Sequence, residues 1–160
     1  MRVLAIDPGY DRMGVAVLEK NGAEKNKLLY SDCIRTSAKT KFADRLFSAG
    51  QEIEAIIKKW KPEALAIETL FFKNNAKTAM RVSEARGVLL YEAAKNGLTV
   101  AEFTPLQIKV AVTGYGKSEK EQVTAMVQKL IKIKEKIKYD DEYDAIAVGL
   151  TYFAYRVFHR

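Results

Sequence analysis

Arg2-Val3-Leu4-Ala5-Ile6-Asp7-Pro8-Gly9-Tyr10-Asp11 opens the chain with an apolar run, a single acid and a turn. A second β-rich run covers residues 13–20, Asn21-Gly22 supplies a hairpin signal, and a third run covers residues 27–36. Short runs of aliphatic and β-branched residues bounded by Pro, Gly and Asn predict three strands joined by tight turns. The reading is an antiparallel meander, and everything downstream must pack on it. Phe42, Leu46, Ala49, Ile53, Ile56 and Ile57 recur at helical spacing, predicting a helix over 41–60 that Pro62 stops. A short buried strand follows at 64–68. Residues 74–96 predict a long helix closed by Gly97, and residues 98–103 another strand. Thr104-Pro105 predicts a helix start, Gly114-Tyr115-Gly116 its end, and Ser118 to Glu121 a capping box for the next helix. A lysine-rich stretch, 129–138, leads into a last apolar helix from Asp140. A meander followed by alternating helices and strands is an α/β arrangement: one mixed sheet covered by helices.

A chain of 160 residues predicts a single domain spanning 1–160. Lys plus Arg number 27 against 20 Asp plus Glu, a formal net charge of +7, which favours a polyanionic partner, nucleic acid first. One Cys (Cys33) and one His (His159) exclude a Cys/His zinc cluster, so any metal must be held by oxygen. Cys33 alone cannot form an internal disulfide and reads as a small buried hydrophobe. No run approaches the ~18 apolar residues needed to span a bilayer, and no signal peptide is evident; the expectation is a soluble, cytoplasmic protein with no membrane partner.

Against this basic background four acids stand out. Asp7 ends the run Val3 to Ile6, and Glu68 ends a second run, Ala64 to Ile67. Asp141 and Asp144 open the last helix three residues apart, about 60° around its axis, so they can share a face. In a parallel strand pair Asp7 and Glu68 would emerge at the same sheet edge. Carboxylates gathered from separate elements are tolerable around cations, and Mg²⁺ favours such oxygen ligands. Two such ions about 3.5–4 Å apart activate a water and relieve charge on a leaving oxygen in phosphodiester hydrolysis. Each acid also has a simpler explanation. Asp7 suits the turn before Pro8-Gly9, Asp141 suits the positive end of a helix, and Asp140 and Glu142 read as solvated charges.

Ala5-Ile6-Asp7-Pro8-Gly9, Ala66-Ile67-Glu68, Asn75-Ala76 through Ala85-Arg86-Gly87, Gly114-Tyr115-Gly116-Lys117-Ser118-Glu119-Lys120 and Asp141-Glu142-Tyr143-Asp144-Ala145 together resemble the RuvC-type crossover junction endodeoxyribonucleases. The motifs run in the same order along nearly the whole chain. The resemblance implies a ribonuclease-H-like fold, a mixed five-stranded sheet with its first three strands antiparallel, flanked by helices. It implies a homodimer that resolves four-way (Holliday) DNA junctions by paired nicks, with Mg²⁺ as cofactor, two ions per site, and Mn²⁺ as a substitute. A junction-binding, branch-migrating motor complex is a further implied partner. Asp7, Glu68, Asp141 and Asp144 are then the catalytic, metal-binding acids. The competing reading within enzymes is a related nuclease acting on branched DNA or RNA–DNA hybrids.

DNA-binding candidates follow. Phe71 and Phe72 lie just past Glu68, where two adjacent aromatics cannot both easily face a core; one is a candidate for base stacking, and the resemblance favours Phe71. Lys109, Lys117 and Lys120 flank the glycine-containing loop and suit phosphate neutralisation, the resemblance supporting Lys109 and Lys120 most directly. Arg81 and Arg86 on the long helix are candidates for backbone contacts. Ala76, Ala79, Ser83 and Gly87 form a stripe of small residues on the same helix, open to close packing on the sheet or on a symmetry mate, the latter by resemblance.

Overall fold

The computed structural model describes residues 1–22, 24–70 and 76–158. Along the chain they form β1 (Arg2–Asp7), β2 (Arg12–Glu19), β3 (Lys27–Arg35), α1 (Phe42–Trp60), β4 (Ala64–Glu68), α2 (Ala76–Lys95), β5 (Thr99–Phe103), α3 (Pro105–Thr113), α4 (Lys120–Leu130) and α5 (Asp140–Phe158). Phe71 and Phe72 lie outside the described residues.

The sheet order is β3-β2-β1-β4-β5. β1, β2 and β3 pair antiparallel, as the turn signals predict. β4 and β5 extend the sheet in parallel on the other side of β1. This is the expected mixed α/β sheet, and strict alternation along its central strands builds two cores. Leu4, Ile6, Val15, Val17, Leu65 and Ile67 face α1 and α2. Val3, Ala5, Ala16, Leu18, Ala64 and Ala66 face α3, α4 and α5.

The second face is rich in alanine, and that lets α5 lie close to the sheet. A Cβ on Gly149 would sit 2.5 Å from Leu18 Cδ1 and 3.2 Å from the Ala5 Cβ. At the helix's first turn, a Cβ on Gly14 of β2 would sit 1.8 Å from the Asp141 carbonyl oxygen. Two glycines, one on each partner, therefore set how deeply α5 docks and where its N-terminus stops.

Helix ends follow the sequence signals closely. Lys61 adopts φ 49° after α1 and donates its amide to the Ile57 carbonyl at 2.8 Å, and Pro62 prevents further turns. Gly97, at φ 74°, closes α2. Thr104 caps α3 through a reciprocal box with Gln107, with Pro105 in the first position. The α4 cap differs from expectation by one residue: Glu119, with Gln122 as its partner, takes the role read for Ser118 and Glu121. Ser118 is instead buried, its hydroxyl donating to the Tyr115 carbonyl at 2.8 Å.

Candidate active site

β1 and β4 run parallel with Ile6 opposite Ile67, so the next residues, Asp7 and Glu68, emerge side by side at the carboxyl edge of the sheet. Strand alternation puts both on the face that carries Ala5 and Ala66, beneath α5. Thr69 then donates its amide to the Phe103 carbonyl at 2.8 Å, which holds the chain beyond Glu68 against the end of β5. Asp144 comes down onto the same point from α5, just past its first turn. Asp7, Glu68 and Asp144 line a cavity of about 230 Å³ with Pro105, Ile108 and Lys109 of α3 and with Lys120 and Val123 of α4.

The acids bear on one another electrostatically. Burial raises the Asp7 carboxyl well above its ordinary range, and the charges of Glu68, Asp144 and Asp141 raise it further. Burial also pushes Glu68 up to about 6, although a hydrogen bond with Asp7 and the nearby Lys109 and Lys120 act against the rise. Asp144 is raised by burial, with Lys120 opposing. The Lys120 ammonium lies 2.8 Å from Asp144 and 2.6 Å from Asp140, which hold it protonated despite its partial burial.

The two helix acids part company. Asp141 does not line the cavity with Asp144; its carboxylate lies 3.5 Å from Arg12 Nε and 3.8 Å from the Cys33 thiol. Its charge is nonetheless felt at Asp7. Cys33 is buried as expected, and burial followed by the Asp141 charge pushes its thiol up to about 11, so it stays neutral. Asp140 remains exposed at the rim. Glu142 overturns its reading as a solvated charge: it is buried, accepts the Ser31 hydroxyl at 2.9 Å and the Lys138 and Tyr139 amides at 3.3 and 3.4 Å. It therefore satisfies orphan donors at the start of α5 and ties that end to β3.

Among the described residues no three Asp, Glu, His or Cys side chains stand together at metal-ligand spacing. The protein's own cations occupy the positions around the acids: Lys120 on Asp144 and Arg12 on Asp141. The donor chemistry nevertheless fits a hard divalent ion. Three carboxylates from separate elements face one cavity, and burial with their mutual repulsion raises Asp7 and Glu68 even with Lys109 and Lys120 in the same wall. A larger cavity of about 520 Å³ lies at the opposite end of β1, between Met1, Lys20 and Arg156; among the described residues Glu63 is the one acid in its lining, so they offer no comparable donor set.

Of the basic candidates, Lys109 and Lys120 line the cavity, whereas Lys117 is exposed on the loop between α3 and α4. Arg81 is half-exposed, its guanidinium 3.9 Å from the Phe42 ring centroid and paired with Glu84. Arg86 is largely covered, paired with Glu102 and donating to the Glu68 carbonyl at 3.4 Å, so it braces the backbone of a candidate ligand.

Two further arginines belong to the site's frame. Arg12 shares a face of β2 with Gly14 and Ala16, and strand alternation alone places it beneath α5. Arg45 of α1 is buried; it pairs with Asp11 and donates to the Tyr10 carbonyl at 2.8 Å and the Thr36 hydroxyl at 2.9 Å, fixing the turn that follows Asp7. Nothing in the periodicity of α1 marks Arg45, because it replaces an apolar residue at a core position.

The same strand–strand–helix framework is found in solved structures. The chain superposes on the Thermus thermophilus RuvC structure with a TM-score of 0.89 at 32% identity, covering 99% of this chain and 97% of that one. The T. thermophilus RuvC in complex with a Holliday junction substrate gives 0.93 at 31% identity over 99% and 96%. The yeast mitochondrial Holliday junction resolvase, at 15% identity and a TM-score of 0.70, shares the fold. In sequence, the crossover junction endodeoxyribonuclease RuvC of Moorella thermoacetica is 44% identical over 155 residues, 97% of this chain and 92% of the relative. That of Desulfitobacterium hafniense strain DCB-2 is 46% identical over 154 residues, 95% and 92%. With residues 3–152 matching the pattern of crossover junction endodeoxyribonuclease RuvC, the chain belongs to the RuvC family.

Proposed function

We propose that this protein resolves four-way DNA junctions by hydrolysing one phosphodiester in each of two symmetry-related strands. Its family is one of metal-dependent crossover junction nucleases, and a relative bound to a Holliday junction shares its fold over almost the whole chain. The observation that carries the reading is the meeting of Asp7, Glu68 and Asp144 with Lys109 and Lys120 around one cavity. A pure DNA-binding module has no reason to set buried acids where phosphate must come.

Asp7, Glu68 and Asp144 are the proposed ligands of the catalytic ions, with Asp141 completing the set once Arg12 is drawn away to phosphate. All-oxygen donors favour Mg²⁺, two ions per site, with Mn²⁺ able to replace it. When bound, such ions supply an activated water and neutralise the charge that develops on the leaving sugar oxygen. Lys109 and Lys120 offset the charge of the scissile phosphate at the cavity wall, and Lys117 meets the flanking backbone. Phe71 is the proposed wedge at the junction centre, with Phe72 beside it.

A junction offers two equivalent strands, so a two-fold dimer with two sites matches its symmetry. The outer face of α2 suits that role: Met80, Ser83, Gly87 and Tyr91 are exposed along it, and Gly87 leaves room for a close neighbour. A branch-migrating motor complex is the further proposed partner, and the cytoplasm the proposed compartment. Among the described residues no helix is long and apolar enough to cross a membrane.

The test is a side-by-side assay with Mg²⁺ on a mobile four-way junction, an RNA–DNA hybrid and a linear duplex. Paired, symmetric nicks in the junction are expected, with the other two substrates cut far more slowly. Preference for the hybrid would assign the protein to a different nuclease activity, and uncoupled single nicks would remove the dimer.

A further inference from the structure

α3 has one flank in the catalytic cavity and another outside it. Pro105, Ile108 and Lys109 line the cavity. Leu106 and Val110, one helical turn apart, face water with 60% and 45% of their surface exposed. Tyr115, in the loop that follows, is 59% exposed. Gly116, the residue after Tyr115, packs against the other two. A Cβ there would lie 2.5 Å from Leu106 Cδ1 and 3.3 Å from Val110 Cγ2, so the turn rests directly on both side chains.

The Tyr115 backbone is fixed by hydrogen bonds. Gly114, at φ 77°, ends α3 and donates its amide to the Val110 carbonyl at 2.8 Å. The Tyr115 amide donates to the Thr113 hydroxyl at 3.1 Å. Its carbonyl accepts the Ser118 amide at 3.2 Å and the Ser118 hydroxyl at 2.8 Å. Both backbone groups of one exposed aromatic are thus tied to the framework, and Ser118 is itself buried. A largely exposed aromatic on a fixed turn, beside exposed Leu106 and Val110, suits a surface made for a partner.

The surroundings say which partner. Lys109 borders the patch on the cavity side, Lys117 follows Tyr115 by two residues, and Lys120 stands at the cavity wall. An apolar shelf rimmed by ammonium groups complements a nucleic acid strand, whose phosphates meet the lysines while a base or sugar covers the shelf. Within an intact duplex the base faces are stacked on one another; at a branch point they are available.

We propose that Tyr115, on the turn that Gly116 packs against Leu106 and Val110, is a stacking platform for a nucleobase of the DNA strand being cut, and that it sets which phosphate reaches the acid cavity. The inference rests on the junction-cleaving activity and names a specificity-determining residue for it. The ring contributes surface rather than its hydroxyl, so Tyr115→Phe preserves the function and Tyr115→Ala removes it.

The experiment follows cleavage-site distribution and rate for wild type, Tyr115→Phe and Tyr115→Ala on four-way junctions carrying a fluorescent adenine analogue next to the scissile phosphate. For Tyr115→Ala the expected result is a loss of about tenfold or more in kcat/KM, cleavage spread over neighbouring phosphates, and loss of the change in analogue fluorescence on binding. Tyr115→Phe should behave as wild type, and both variants should melt at the wild-type temperature. Wild-type rate, sites and fluorescence in Tyr115→Ala would overturn the proposal and leave the shelf to a protein partner. A wild-type protein that fails to cut junctions would instead overturn the functional reading on which the proposal stands.

Discussion

Asp7 and Glu68 show what it costs a protein to gather acids in a buried site. Both are raised first by burial, Glu68 from an ordinary 4.5 to about 6 and Asp7 well above its usual value. The folded state therefore binds protons more tightly than the unfolded state between pH 4.5 and 6 at Glu68. By linkage, stability from this pair is greatest below the unfolded values and falls as pH rises through that window. The metal-free protein should lose thermal stability across it, and Glu68→Gln should flatten the loss. Identical melting profiles for the two proteins would contradict the coupling. Lys120 and Arg12 limit the penalty by pairing with Asp144 and Asp141. At this scale the sequence marks the acids and conceals their pairing. Asp7 and Glu68 are legible because each ends an apolar run. The division between Asp144, in the cavity, and Asp141, on Arg12, is set by how α5 seats on β2.

That seating is an interaction between elements. α5 presents Ala145, Val148 and Gly149 to a sheet face of Ala5, Ala16 and Ala66, and its first turn rests on Gly14. The contact at Gly14 is with backbone, which cannot swing aside as a flexible side chain would. Gly14→Ala should push the start of α5 off the sheet, costing about 1–3 kcal/mol in chemical denaturation and sharply reducing cleavage by displacing Asp144. Stability and activity both unchanged would show that the helix is positioned by something else. Strands and helices were legible from alternation, helical spacing and the Pro and Gly punctuation, because each signal acts within a few residues. The α4 cap slipped from Ser118 to Glu119 because both side chains can accept an amide at a helix start; the buried bonds of Ser118 to the Tyr115 turn decide between them. The Glu142 reading fails for a different, long-range reason. Its partners include Ser31, 111 residues away in sequence.

In the whole molecule, a basic surface and an acidic cavity oppose each other, and each makes sense through the other. The net charge of +7 favours a polyanionic partner, while the carboxylates at the joined ends of β1, β4 and α5 form the one point proposed for cations. The two-fold symmetry proposed through α2 would present two such points to a substrate with two equivalent strands. The central claim is that this cavity is the site of metal-dependent hydrolysis, separable from DNA binding. It is tested most directly by measuring junction binding and junction cleavage in Mg²⁺ for wild type and Asp7→Asn. Asp7→Asn keeps the shape of the side chain and removes its charge at the centre of the cluster. The expected result is binding at or above the wild-type level with cleavage abolished; cleavage by Asp7→Asn at the wild-type rate would contradict the account.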